Sequence, residues 1–303
     1  MADEYIVHKP AALDTVHVAR RAEIKAGDIA RYWALPKYDG CCAVLKLLPN
    51  GGYTGMSRVG KPQCHLALGA AAREAQAALR GLIQHHGGLA LIGEAWHEDY
   101  GHNEISGEFR RQQESEWLNL MAFDCIPLAD FEAGHCAMPY RNRRAMLSVF
   151  EEGTERVQLA TNNYGHHTLE RIQSMTNSLT SLKPGAGGVH DGLIMVDPDG
   201  KWERGTGKTG EWLKFKRLLS YDLRVLEVNT AVGEKTGRTV YKLVVNYNGK
   251  RLGVGSGLPH KADAVPKVGD IVEINAMDES ADGLLREPRF KSIRHDKIKA
   301  DFE

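Results

Sequence analysis

The chain has 303 residues, 42% hydrophobic and 26% charged, long enough to bury the cores of two domains, and its 39 basic and 39 acidic side chains cancel, so overall charge names no polyanionic partner. No apolar run approaches the roughly 20 residues that cross a bilayer, and the N-terminus lacks the basic start and apolar stretch of a secretory leader, which predicts a cytoplasmic protein with no membrane partner. Cys41, Cys42, Cys64, Cys125 and Cys136 form no CxxC pair and read as reduced thiols.

In chain order, an alanine- and arginine-rich stretch over 11–29 predicts a helix, followed by a short apolar run to Lys37, with no room for a separate domain upstream. Residues 41–48 and 52–56 predict a hairpin around Pro49-Asn50-Gly51-Gly52, since Gly and Asn accept the backbone angles of tight turns. Apolar residues at helical spacing predict a helix over 66–86. Strands follow at 89–92, 118–123 and 192–196, alternating with helices at 141–150 and 168–179, a mixed α and β pattern.

Past Lys216 the pattern becomes short β segments at 223–228, 240–247, 251–254 and 271–276, so a small all-β domain begins near Ser220. Tyr241, Leu243, Val245 and Tyr247 alternate with Lys242 and Asn246, and Asn248-Gly249 supplies a hairpin turn. Leu223 and Val225 share one parity while Leu226 and Val228 share the other, which predicts a bulge of the kind a small barrel needs.

Charge is distributed unevenly. Arg286, Arg289, Lys291, Arg294, Lys297 and Lys299 crowd the C-terminal end, and the stretch 201–217 carries Lys201, Arg204, Lys208, Lys214, Lys216 and Arg217. Such patches suit phosphates, although for any single run a solvated charged face is the better explanation.

The chemistry begins at Lys37-Tyr38-Asp39-Gly40. A deprotonated lysine amine can attack phosphorus and hold a nucleotide as a phosphoramidate, while a nearby carboxylate orients a hydroxyl or binds metal. By itself the segment could equally be a surface lysine beside a turn glycine. It is followed in order by Ser57-Arg58-Val59-Gly60, Leu91-Ile92-Gly93-Glu94, Met121-Ala122-Phe123-Asp124, Asp191-Gly192-Leu193-Ile194-Met195-Val196, Trp212-Leu213-Lys214-Phe215-Lys216 and the stretch 285–297. This series resembles the covalent nucleotidyltransferase superfamily of DNA ligases, RNA ligases and capping enzymes, and most of all the minimal two-domain ATP-dependent DNA ligases.

The resemblance implies an α+β fold: an ATP-grasp-like nucleotidyltransferase (adenylation) domain over 1–219, then a small β-barrel OB-fold domain over 220–303, with hinge motion between them. It implies ATP-dependent sealing of nicked double-stranded DNA by a monomer. Lys37 would carry AMP and Asp39 would position the 3′-hydroxyl or a metal. Arg58 would contact sugar and phosphate near the nick, Glu94 the ribose and Mg2+, and Phe123 the face of the purine. Asp191 stands where the family usually has glutamate and would serve Mg2+. Lys214 and Lys216 would neutralise the α-phosphate, and Arg289, Arg294 and Lys297 would align pyrophosphate.

Two further positions depart from the pattern. Leu35 lines the base site where many relatives place a polar group, and Cys42 stands where an arginine commonly touches the ribose, a contact a thiol cannot supply. With no helical DNA-binding domain ahead of Lys37, grip on DNA is expected from a loop over 98–113 with Arg110 and Arg111, and from Lys208. ATP is favoured over NAD because the chain has neither the extra N-terminal domain nor the cysteine-bound zinc module of NAD-dependent ligases. A capping guanylyltransferase, an RNA ligase and a non-catalytic nucleic-acid binder stand as alternatives.

Three motifs carry no weight. Gly207-Lys208-Thr209 has Trp202 where a phosphate loop requires glycine, His97-Glu98 with His102 lacks the HExxH spacing, and His85-His86 and His166-His167 read as surface histidines.

Overall fold

The computed structural model describes residues 5–217, 219–232, 237, 239–276, 278–280 and 282–303. The chain divides into two compact units, Met1–Lys216 and Arg217–Glu303.

The first unit is built on two sheets. One has five strands in the order Tyr53–Ser57, Cys41–Leu47, Leu89–Trp96, Asn119–Pro127 and Val157–Leu159, antiparallel except for the last pair. The other orders Ala11–Ala12, Trp212–Phe215, His190–Val196 and Trp33–Tyr38. The main core holds Leu45, Leu47, Leu91 and Leu120 from the larger sheet, packed against Ala71, Ala72, Ala75 and Leu79 from the helical segment beside it. Alanines on that face let helix and sheet approach closely. A second core joins Ile24, Ile29 and Ile172 to Leu193, Met195 and Leu213 on the back of the smaller sheet.

Four expected elements differ, one being the helix over 141–150, which is α-helical only over Tyr140–Ala145 and forms a separate 3-10 turn at Ser148–Phe150. Within 11–29 only Val18–Ala26 is α-helical, and Ala11–Ala12 is a strand paired in parallel with Leu213 and Lys214. Sheet pairing there outweighs alanine's helix propensity. The 66–86 stretch forms two helices, Gly69–Ala78 and Arg80–His86, parted at Leu79. The expected loop over 98–113 contains the helix His102–Phe109. Glu104 reaches back to the Gly101 N–H at 2.9 Å, and Ile105 and Phe109, four residues apart, bury one face. His167 is buried rather than on the surface, its Nε2 facing the Asn163 carbonyl.

The second unit is a five-stranded antiparallel sheet in the order Lys250–Val254, Thr239–Tyr247, Leu219–Val232, Ile271–Ala276 and Arg289–Ile293. The 14-residue strand Leu219–Val232 pairs with one neighbour along its first half and with the other along its second. Its register shifts between Val225 and Glu227, leaving Leu226 as the extra residue where the parity of the sequence changes. Asn248 and Gly249 both adopt positive φ, 48° and 77°, as the two-residue hairpin turn requires. The outer strands are linked by a bridge between Ser256 and Arg289, so the sheet curls into the partly open barrel of an OB-fold around Leu223, Val225, Leu243, Val245, Val272 and Ile274.

No helix among the described residues is long and apolar enough to cross a membrane.

Candidate active site

Side chains alternate across a strand, so Trp33, Leu35 and Lys37 share one face of their strand. Across the ladder Leu35 lies opposite Ile194, which lies opposite Lys214, while Lys37 lies opposite Gly192. Trp212, Lys214 and Lys216 continue that face. It forms one wall of a cleft of about 760 Å³, and Cys42, Ile92, Glu94 and Phe123 of the larger sheet line the other. Leu35 is buried and lines the cleft.

Asp191 reaches this face through a β-bulge. His190 pairs with Tyr38 and Gly192 with Lys37, leaving Asp191 as the unmatched residue between them. A bulge turns a side chain out of the alternation, here towards Lys37. Gly192 makes the turn possible, because its φ is 135° and a Cβ there would lie 2.0 Å from the Phe215 carbonyl oxygen.

The Asp191 Oδ2 atom accepts from Lys37 Nζ at 2.5 Å and from Lys216 Nζ at 2.8 Å. Burial pushes the Asp191 carboxyl up, but the two ammonium groups outweigh it and hold it below the usual carboxylate range. Lys214 is displaced downward by burial and by the like charges of Lys9, Lys216 and Lys37. The cleft is thus a concentrated positive site with one carboxylate at its centre.

Glu94 sits opposite Cys42 in the ladder. Burial drives its carboxyl up to about 7; Lys37 and Arg58 pull it down, and Asp39 and Asp191 push it further up. Asp39 follows the Lys37 strand, its N–H donating to the Val189 carbonyl at 3.1 Å, and its Oδ1 lies 3.4 Å from His102 Nδ1. The tight path after Asp39 needs Gly40, where a Cβ would lie 2.2 Å from the Ala95 carbonyl oxygen. Cys42 lines the cleft as a thiol that burial holds protonated, so it brings no charge to this wall.

Phe123 occupies a second bulge. Ile92 pairs with Asp124 and Gly93 with Ala122, leaving Phe123 unmatched and turned towards the cleft, with Trp212 edge-on at 5.8 Å. The short helix Tyr140–Ala145 grips this irregular stretch at three consecutive residues. Arg144 donates to the Ala122 carbonyl, Tyr140 Oη to the Phe123 carbonyl at 2.9 Å, and Arg143 Nε to Asp124 Oδ1 at 2.8 Å. Asp124 is 1% exposed and Arg143 0%, so the pair is a fully buried anchor for the bulge.

The residues fit Mg2+ bound with a nucleotide. Among the described residues no three metal-ligating side chains gather into a cage, yet Mg2+ ordinarily takes one or two carboxylates and fills its shell with phosphate oxygens and water. Asp39, Glu94 and Asp191 line one cleft, and the mutual repulsion acting on Glu94 is what an added cation would relieve.

Arg58 and Arg110 also line the cleft; Arg110 is held by Ser106 at 2.7 Å to the hydroxyl. Arg111 is not brought there and pairs with Glu108 at 3.0 Å, and the exposed Lys208 is likewise not among the lining residues. In the second unit, Arg294 bonds both Asp222 oxygens at 3.0 Å and Lys297 lies 2.7 Å from the same carboxylate, whereas Arg289 is exposed. The sequence gives no sign of Lys9 or Arg143, names His102 only within a failed HExxH spacing, and carries Asp124 only as the end of the Met121–Asp124 segment. A histidine spaced from Glu98 and a lone lysine before a proline carry no pattern of their own.

The family model for the ATP dependent DNA ligase domain matches residues 28–216, from before the Lys37 strand to Lys216. No curated protein matches the chain. Among solved structures, one described as Pmar-Lig_Pre is 22% identical with a TM-score of 0.65, over 97% of this chain and 68% of its own. A Lig E DNA ligase, described as binding DNA with a minimal scaffold, is 17% identical with a TM-score of 0.60, over 97% of this chain and 100% of its own. The ATP-dependent DNA ligase of bacteriophage T7, in complex with ATP, is 19% identical with a TM-score of 0.58, again over 97% and 100%. At these identities the structures demonstrate a shared fold, a nucleotidyltransferase domain with an OB-fold domain, while the family model covers well over half of the chain. The chain therefore belongs to the ATP-dependent DNA ligase domain family.

Proposed function

We propose that the protein seals nicks in duplex DNA using ATP, through AMP carried on Lys37. The observation that supports this best is the Asp191 carboxylate shared by Lys37 and Lys216, with Lys214 on the same face and Glu94 and Phe123 on the opposite wall.

In the first step Lys37 Nζ gives up a proton and attacks the α-phosphorus of ATP. A nitrogen–phosphorus bond forms, the bond to the β-phosphate oxygen breaks, and pyrophosphate leaves. Asp191 is the carboxylate within hydrogen-bond reach of the nucleophile's proton. As Lys37 turns to the phosphate, Lys216 keeps the carboxylate partnered. Lys214 and Lys216 stabilise the charge that gathers on the α-phosphate oxygens. Bound Mg2+, held by Glu94 and Asp191 with help from Asp39, would shield phosphate charge.

In the second step an oxygen of the nick 5′-phosphate takes the adenylyl group, and the nitrogen–phosphorus bond breaks to restore the amine. In the third, the 3′-hydroxyl attacks the DNA phosphorus and AMP departs, with Asp39 positioning the hydroxyl. Arg58 holds the strand near the nick.

The test is incubation with a singly nicked 5′-labelled duplex and Mg2+, with ATP or GTP, read as ligated strand on a denaturing gel. Sealing with ATP alone supports the reading. Use of GTP without sealing points to the capping class, and sealing of nicked RNA in preference to DNA points to an RNA ligase.

A further inference from the structure

Lys9 is brought to the cleft by the short strand His8–Lys9, which pairs in parallel with Gly205–Thr206. Its ammonium packs 4.4 Å from the centre of the Tyr5 ring, and the same ring takes the Arg58 guanidinium at 5.3 Å. Among the described residues Lys9 has no carboxylate in ion-pair contact, and neither has Lys214. After burial, the charge of Lys9 is the largest influence depressing Lys214, ahead of Lys216 and Lys37. Four ammonium groups therefore converge, and the one carboxylate oxygen in contact with them bridges only Lys37 and Lys216. Two further like charges facing one cleft repel each other, a cost that a bound polyanion converts into attraction.

We propose that Lys9 is a further phosphate ligand of this cleft, holding a phosphate next to the α-phosphate that Lys214 and Lys216 serve. Its ammonium is a point charge on a flexible stem, suited to a phosphate oxygen. The phosphate belongs either to the leaving portion of ATP or to the 5′ end of the nick. The inference rests on the proposed use of the cleft for adenylyl transfer.

The test compares the native protein with Lys9→Met and Lys9→Arg in three measurements: calorimetric binding of inorganic pyrophosphate, KM for ATP in self-adenylylation, and AMP transfer from pre-adenylylated protein to nicked DNA. If the ligand is the leaving portion of ATP, Lys9→Met weakens pyrophosphate binding and raises KM for ATP about tenfold, and Lys9→Arg recovers most of both. If it is the nick phosphate, those two are unchanged and AMP transfer to DNA slows by about the same factor. Three unchanged measurements overturn the proposal. So does Lys9→Arg as impaired as Lys9→Met with an equally lowered Tm, which assigns Lys9 to packing against Tyr5. Lys9-dependent pyrophosphate binding by a native protein that never forms an adduct would sink the ligase reading and leave the phosphate site standing.

Discussion

Lys37 Nζ and Asp191 Oδ2 meet at 2.5 Å because Asp191 is the unmatched residue of a bulge directly across the ladder from the lysine. Removing that carboxylate leaves Lys37 and Lys216 facing each other without a shared counter-charge. Asp191→Asn is expected to slow self-adenylylation by about 10²–10³-fold, measured as labelled AMP on the protein. Asp191→Glu, which carries the residue more usual in the family, should retain most of the native rate; a loss equal to that of the asparagine variant would contradict a role through the carboxylate.

The same ion pairs set a pH dependence of stability. The folded Asp191 carboxyl sits below its ordinary pKa, so as the pH falls the unfolded chain takes up this proton first. The stabilisation is complete above the normal carboxylate range and is lost as the pH drops through the lowered folded value. Asp191→Asn should melt below the native protein near pH 7, with the gap closing as the pH falls below the ordinary aspartate range. A gap independent of pH would show that the effect is packing.

Glu94 runs the other way. Its carboxyl is raised to about 7, so ionising it costs the folded state. The contribution is full below the ordinary glutamate pKa and is lost as the pH rises through the folded value. Glu94→Gln should therefore gain on the native protein in Tm between roughly pH 5 and 8, by about 2–4 °C for each kcal/mol recovered. Adenylylation should fall in the same variant.

The Arg143–Asp124 pair is expected to carry stability rather than chemistry. Asp124→Ala would strand a buried guanidinium and should cost about 3–5 kcal/mol, read by denaturant unfolding. Replacing both partners with apolar groups should cost much less, and equal losses would argue against an uncompensated buried charge.

Phe123→Ala should weaken ATP by about 1–3 kcal/mol, the usual worth of stacking on one base. Phe123→Tyr should preserve it, with KM for ATP as the readout. Unchanged KM in the alanine variant would mean that Phe123 belongs to the wall of the cleft and not to the base.

What the sequence reveals and what it hides differ for a physical reason. The lysine, the carboxylates and the alternating lysines are legible because their types and spacings encode chemistry that a strand then presents by simple alternation. The Leu226 bulge is legible because the apolar parity changes within a single strand. The bulges at Asp191 and Phe123 are not, since an unmatched residue is defined by the partner strand, and neither Gly192–Val196 nor Leu120–Phe123 betrays a parity change alone. The grip of Tyr140, Arg143 and Arg144 on residues 122–124 is hidden likewise, because it joins a six-residue helix to backbone atoms. The helix at His102–Phe109 was hidden by a polar surface over only two buried apolar positions. Arg111 and Lys208 carry the right charge, but Arg111, just past the helix His102–Phe109, is taken up by Glu108, and Lys208 does not line the cleft.

The most direct test of the account is incubation of the native protein and Lys37→Ala with α-labelled ATP and Mg2+, followed by a chase with singly nicked duplex DNA. The account expects an acid-labile adduct on the native protein, none on the variant, and loss of the adduct as the nick is sealed. An adduct of equal yield on Lys37→Ala, or sealing without any adduct, would contradict it.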